Sequence, residues 1–458
     1  RSARFLSARL LHHCKSSRAA AQLLLQRFII AIFYEMKSKK LAGKKKTAVP
    51  FPLKTTLFSL LVLSRAAEAQ EATLQTQSQP VEPLWQQNQT NQFQVFVPQA
   101  MQANLKPQSY EPFQWGTFLA RPHLNYQFID ASGILSAPGE PEHTTIQQVS
   151  PGILFNVGDH WALDYTPTLA YYSNNHFRNQ FDNAIVLTAG TDYQDWVFGF
   201  SQSYVSASSP QIETALQTKT ENYVTTVSAS YILNGKLSVD MAGNQDLEFA
   251  ENFQNFRDWS TTEWLNYQFH PRFDIGIGGG LGYENVDLGS DQTYEQMQGR
   301  MNWRPTDKIS FQINGGFEER EFLGSGGGTL FSPIFGATIQ YLPFSHTQIS
   351  FSGSQSVSAT FFAGEHSQHT SLSVNLSQRL LQKFHLNLNG GYNVDKYVTD
   401  DLSFNRTDDY YSFGARLSHP FLKRGMLSLV YQYTDNKSTE PGYTFSSNQV
   451  GVEVGYSY

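Results

Sequence analysis

Cysteine is almost absent: one residue, Cys14, in a chain of 458. Beyond that position the fold has no thiol nucleophile, no disulfide and no cysteine-ligated metal. Charge is also scarce, at 16% of residues, and long apolar runs are missing. After Ala69 no stretch approaches the ~20 apolar residues that a membrane-spanning helix needs. A net positive balance is confined to one end. Residues 1–69 carry 14 Lys and Arg against 2 acidic residues, which leaves 19 basic and 37 acidic residues in the remainder, a balance of −18. A surface of that sign repels phosphate and excludes a general nucleic-acid binder.

What the basic end does contain is a leader pattern. Met36 is followed by Lys37, Lys39, Lys40, Lys44, Lys45, Lys46 and Lys54, then the apolar run Thr55 to Leu63, then Ala67-Glu68-Ala69. A basic stretch, a short apolar core and a small-residue site read as a signal peptide over residues 36–69, cleaved before Gln70. Residues 1–35 read as an upstream extension outside the fold. Gln70 to Gln114 holds 13 Gln in 45 residues, with Pro80, Pro83, Pro98, Pro107 and Pro112 spread through it, and reads as a flexible arm. Its patch Phe93 to Val97 could pair with a periplasmic partner.

From Trp115 to the end the chain alternates in polarity with period two, the signature of strands. Phe384, Leu386, Leu388, Tyr392 and Val394 fall on one face, and His385, Asn387, Asn389, Asn393 and Asp395 on the other. The split recurs at residues 309–318, 371–377 and 450–458. Some eighteen such segments (16–20) are expected. Tight turns are expected at Gly158-Asp159, Gln194-Asp195, Asn234-Gly235, His270-Pro271, Pro305 to Asp307, Pro343 to Ser345, Leu381-Gln382 and Leu422 to Arg424. Longer loops are expected at Ala131 to His143, Asn174 to Asp182, Ala207 to Thr220, Ala250 to Asn255, Leu323 to Thr329, Thr399 to Asn405 and Lys437 to Thr444.

Short connections on one side and long ones on the other describe an up-and-down meander. A soluble sandwich of that size would bury its apolar face against a second sheet and would use crossover connections. A closed barrel of that many strands is too wide for side chains to fill, so its interior is wet and polar and its apolar face needs lipid. The expected fold is therefore all-β: a transmembrane up-and-down antiparallel barrel over residues 115–458, with short periplasmic turns and longer extracellular loops, in the outer membrane of a Gram-negative-type bacterium. Trp161, Trp196, Phe269, Phe273, Trp303, Tyr341, Phe384, Tyr431, Tyr456 and Tyr458 stand where interfacial aromatic girdles are expected.

The last thirty residues, with Tyr431, Tyr433, Asn436 and Tyr443 leading into Val450-Gly-Val452-Glu-Val454-Gly-Tyr456-Ser-Tyr458, resemble the closing hairpin of outer-membrane β-barrel porins of the type associated with exopolysaccharide or exosortase systems. The resemblance implies that Val450, Val452, Val454, Tyr456 and Tyr458 are the signal read by the barrel-assembly machinery, with Tyr458 where many members carry Phe. It implies a channel or, alternatively, an export or scaffold barrel for a surface polysaccharide.

Other motifs carry less. Gly276, Gly278, Gly280 and Gly282 share one parity with Asp274 and Glu284, and no helix follows, so they read as a smooth strip on the lumen wall. His366 and His369 lack companions for a metal. No nucleophile with a partnered base is present, so no catalytic residue, enzyme activity, cofactor or metal is expected. Strand parity points Asp164, Asp240, Asp274, Glu284, Glu318, Asp395 and Glu453 inward, with Arg300, Arg320 and Arg416. Seven acids against three bases predict a passive pore with mild cation preference. No loop is long enough to resemble a constriction loop, so a wide lumen, or one occupied by the Gln-rich arm, is expected. Expected partners are outer-membrane lipid, the assembly machinery and a periplasmic protein at the arm, and a homo-oligomer is compatible with the pattern.

Overall fold

A computed structural model of the chain describes residues 113–457, apart from 159, 325–327, 382 and 400–403. The leader, the arm up to Pro112 and the terminal Tyr458 lie outside the described residues. The first strand, β1, is Phe113–Trp115. It is followed by β2 (Phe118–Ala137), β3 (Glu140–Val157), β4 (Trp161–Tyr172), β5 (Gln180–Tyr193), β6 (Trp196–Pro210) and β7 (Gln217–Asn234). The chain continues with β8 (Leu237–Ala250), β9 (Phe256–His270), β10 (Phe273–Val286), β11 (Gln292–Thr306), β12 (Ile309–Phe322) and β13 (Thr329–Phe344). It ends with β14 (Thr347–Ala359), β15 (Glu365–Leu380), β16 (Phe384–Thr399), β17 (Phe404–Phe421), β18 (Gly425–Ser438) and β19 (Phe445–Ser457).

From β2 to β19 each strand pairs antiparallel with the next, and β19 pairs with β2, Ser457 opposite His123 and Asn448 opposite Ser132. The result is a closed barrel of eighteen strands, and closure leaves no long edge to be satisfied by water. β1 is an accessory: it pairs with Phe118 to Ala120 of β2, the stretch of β2 lying beyond the end of β19. Phe113 and Gln114, read from sequence as the last residues of the arm, therefore belong to the sheet.

The alternation of residue type becomes an alternation of surroundings. On β19 the side chains of Phe445, Ser447, Gln449 and Glu453 are buried, whereas Val450, Val452 and Tyr456 are exposed. Across the molecule the exposed large side chains are apolar, among them Leu265, Ile277, Phe317, Phe351, Leu372 and Leu429, while the buried set is dominated by Gln, Asn, Thr, Ser and paired charges. That is inside out for a water-soluble fold and right for a barrel in lipid. Next to the short turns an aromatic band faces outward, with Trp161, Phe269, Trp303, Tyr341 and Tyr456 exposed and Trp303 stacked on Phe311 at 5.3 Å.

The eight tight connections fall where the sequence placed them, with residues 159 and 382 of two of them outside the described residues. The loops differ in three respects. The expected loop Ala131 to His143 is strand nearly throughout, and β2 and β3 run on to a turn at Pro138-Gly139, with Gly139 at φ +78°. Two further connections were not among the expected loops: residues 287–291, although Asp-Leu-Gly-Ser-Asp has loop composition, and residues 360–364, which had little to announce them. Gly133 accounts for a third difference: at φ +78° it sits where β2 shifts register, and its ideal Cβ would lie 2.0 Å from the Ser446 carbonyl oxygen. This bulge brings Ile134 and Leu135 into buried clusters inside the rim.

Candidate functional site

The inward face of the barrel is a set of polar ladders. Each of the ten charged residues expected inside lies on it, but most are tied to one another. Arg320 is buried and donates from Nε to Glu318 (2.8 Å) and from Nη1 to Glu284 (3.0 Å) and to Gln292 (2.9 Å), with its guanidinium 4.5 Å over the Tyr294 ring. Arg300 binds Asp240, donates from Nε to Asn266 Oδ1 (2.7 Å) and lies 4.6 Å over Trp264. Arg416 pairs with Glu453 at 2.7 Å. Asp395 holds His369 Nδ1 and accepts from Ser367 (3.3 Å). Asp274 and Asp164 have neutral partners instead, accepting from Asn302 (2.7 Å) and Thr166 (2.9 Å). All three of these arginines are thus neutralised in place, and the acids without a basic partner shift the local balance negative.

The glycine strip of β10 has a physical reason. Ideal Cβ atoms at Gly278 and Gly282 would lie 2.5 Å from the Trp264 ring and 2.0 Å from the Tyr294 ring, and one at Gly276 would meet Asn266 and Arg300. Side chains from β9 and β11 lie flat across the strip, and the arginines stack on those rings.

At the long-loop rim the bore is narrowed, against the expectation of a wide lumen without a constriction. The β13–β14 ladder stops at Phe335 opposite Gln355. Above it, Thr329 to Ile334 pair only with β12, and Ser356 to Ala359 only with β15. Pro333 lies in the unpaired stretch, and a proline has no N–H to give a ladder. The upper ends of β14 and β15 curl inside the wall. Val357 shares parity with the lipid-facing Phe351, and His366 with Leu372, yet Val357 and His366 are buried. Arg320 Nη2 donates to the Val357 carbonyl (3.3 Å), His366 stacks on Phe322 (4.4 Å), and Gln292 meets His366 Nδ1 at 3.3 Å.

The connecting loop, residues 360–364, is met from across the bore. Gln254, in the β8–β9 loop, donates to the carbonyls of Thr360 (2.9 Å) and Phe362 (3.2 Å). Glu213, in the β6–β7 loop, accepts the Phe361 N–H, and Arg406 of β17 donates to the Glu213 carbonyl (3.1 Å). Arg406 is itself sandwiched between Tyr397 (4.0 Å) and Tyr443 (4.1 Å) and paired with Asp408 (3.2 Å). Loop 211–216 also packs Ile212 and Ala215 against Leu135, Tyr410 and Phe445 on the opposite arc. Enclosure by protein pushes the Glu213 carboxyl up to about 8; the Phe361 N–H and Arg406 oppose the rise, and Glu248 and Asp395 add to it.

The sequence reading missed this lid of Glu213, Gln254, Phe361 and Arg406, along with the curled strands. A signal was present in β15: its outward face turns from Val374 and Leu372 to Thr370, Gln368 and His366, too polar for lipid. His366 and His369 lie on opposite faces of β15, and among the described residues no cluster of His, Cys, Asp and Glu could hold a metal. Of the expected assembly signal, Val450, Val452, Val454 and Tyr456 form the outward row of β19, whereas Tyr458 lies outside the described residues.

Residues 285–458, from the end of β10 to the C-terminus, match the family described as Putative beta-barrel porin 2. No curated protein matches the chain. Among solved structures it is similar to the siderophore receptor PirA of Pseudomonas aeruginosa, at 8% identity and a TM-score of 0.40 over 74% of this chain and 80% of that one. It is similar also to the outer membrane protein OpdK of Pseudomonas aeruginosa, at 9% identity and a TM-score of 0.42 over 74% and 98%. A third is OccAB3 of Acinetobacter baumannii, at 9% identity and a TM-score of 0.42 over 74% and 99%.

Proposed function

We propose that this outer-membrane β-barrel, porin-like in family and architecture, is a passive channel for ions and small hydrophilic solutes, narrowed at its long-loop rim. The observation that carries the reading is the closed eighteen-strand ring with polar side chains inside and apolar side chains outside. Such a ring encloses more space than its own side chains can fill, and water-lined space through a membrane conducts. The pore-lining role of Asp164, Asp240, Asp274, Glu284, Arg300, Glu318, Arg320, Asp395, Arg416 and Glu453 belongs to this proposal. So does recognition of the β19 terminus by the assembly machinery. Because the arginines are paired, while Asp164 and Asp274 accept only from neutral partners, the pore is expected to favour cations weakly.

Reconstitution into planar bilayers tests this. Discrete conductance steps are expected, with a reversal potential under a salt gradient displaced toward the cation Nernst value. A barrel that folds and inserts yet never conducts would refute the channel. An anion-selective reversal potential would refute the charge argument alone.

A further inference from the structure

Beneath loop 211–216, where β18, β19 and β2 to β6 curve past one another, the inner wall forms a recess that opens into the bore. Five glutamines line it: Gln127, Gln148, Gln180, Gln432 and Gln449. They come from β2, β3, β5, β18 and β19, which are scattered in sequence and lie along one arc of the barrel. Each reaches inward by parity, so closure alone gathers them. We propose that this recess binds an uncharged, hydroxyl-rich solute, one sugar-sized ring or polyol at a time, as a subsite of the channel.

Three observations converge on that class. First, no acidic or basic side chain lines the recess. A bound anion or cation would find no counter-charge there and would be held poorly in a confined space. Second, the lining is built from primary amides, which offer donors and acceptors together, the match for a hydroxyl that is both. Third, the Gln449 side chain is 7% exposed, and its Nε2 has no hydrogen-bond partner among the described residues. An enclosed amide N–H without an acceptor favours a turn of the Gln449 side chain toward the recess, where a ligand oxygen supplies one.

The rest of the wall suits the carbon face of the same solute. Ile129, Ile134 and Ile146 form an apolar side. The Tyr172 hydroxyl accepts from Gln180 Nε2 at 2.9 Å, which fixes the Tyr172 ring beside them. One polar side and one apolar side match a ring with hydroxyls at its edge and C–H groups on its face. A small inorganic ion would use neither side well.

This inference rests on the channel reading for its purpose but not for its test. Binding is measured by titration calorimetry on the full chain folded in detergent micelles, with myo-inositol and glucose as neutral probes, and with gluconate and glucosamine as charged counterparts. The neutral probes are expected to bind, and Gln449→Leu to weaken them at least tenfold. Gln340→Leu, on β13 outside the recess, is expected to leave affinity unchanged. In bilayers the same neutral probes are expected to interrupt the ion current of the parent barrel and not that of Gln449→Leu. Equal or tighter binding of either charged counterpart, no binding of the neutral probes, or unaltered affinity in a folded Gln449→Leu barrel would each overturn the proposal. A barrel that binds the probes but does not conduct would remove the channel and leave the recess.

Discussion

Replacing Arg320 by Met should release the curled ends of β14 and β15. Arg320 is buried, pairs with Glu284 and Glu318, donates to Gln292 and caps the Val357 carbonyl. Met keeps much of the bulk and removes every donor. Two enclosed carboxylates are then left facing each other across β10 to β12, a defect that costs about 3–5 kcal/mol when one partner of a buried pair is deleted. Relief comes from admitting water, and the packed ends of β14 and β15 are what exclude it. If only about 1.4 kcal/mol of the cost is relieved by outward movement, the open population rises tenfold. The assay is maleimide labelling of Ala359→Cys, a buried position on the curled segment in a barrel whose described residues contain no cysteine, with and without Arg320→Met. At least tenfold faster labelling and larger unitary conductance are expected in the double variant. Equal rates and equal conductance, in barrels shown to be folded by heat-modifiable electrophoretic mobility, would refute the reasoning.

Two more outcomes concern the rim and the glycine strip. With the rim closed, Glu213 titrates near 8; exposed to water it would return toward 4.5. The closed form therefore holds a proton between those values that the open form has lost, so closure is favoured at low pH. It weakens as pH rises through that window, by at most about 1.4 kcal/mol per unit. Channel open probability should rise between pH 4.5 and 8, and Glu213→Gln should flatten the profile; an unchanged profile in that variant would assign the effect elsewhere. Gly282→Val places a side chain in the Tyr294 ring and should cost about 1–3 kcal/mol by overpacking, read as a lower urea midpoint, whereas the same change at Gly243, where nothing lies within 4 Å of an ideal Cβ, should be near neutral.

Much of this barrel was written in its sequence because lipid and lumen impose one rule on every strand. The Val450 to Tyr456 row and its Gly451 and Glu453 counterpart could be assigned to faces without knowing a single neighbour, since period two fixes the face. Six of the eight tight turns were equally local, carried by Asp-, Asn-, Gly- and Pro-containing breaks, whereas Leu381-Gln382 and Leu422 to Arg424 hold none of these residues. What stayed hidden was non-local. Loop 360–364 is Thr-Phe-Phe-Ala-Gly, which reads as continuing strand, and its position depends on Gln254 and Glu213, more than a hundred residues earlier. The pairing of Arg320 with two acids, and of Arg300 with Asp240, depends on register across several strands. Counting charges by parity could not say which of them cancel. Pro333 and the polar turn of the outward face above Leu372 were the available hints that β13 and β14 part company.

The claim beneath all of this is that oily side chains meet lipid while hydrophilic ones meet the bore. Nitroxide scanning of residues 427–431 in β18, in lipid vesicles, measures it residue by residue. Labels at Leu427, Leu429 and Tyr431, which are exposed, are predicted to collide strongly with oxygen and weakly with a water-soluble nickel chelate, and labels at Ser428 and Val430 the reverse. Oxygen and nickel accessibilities that rise and fall together, or that peak at Ser428 and Val430 for oxygen, would contradict the account.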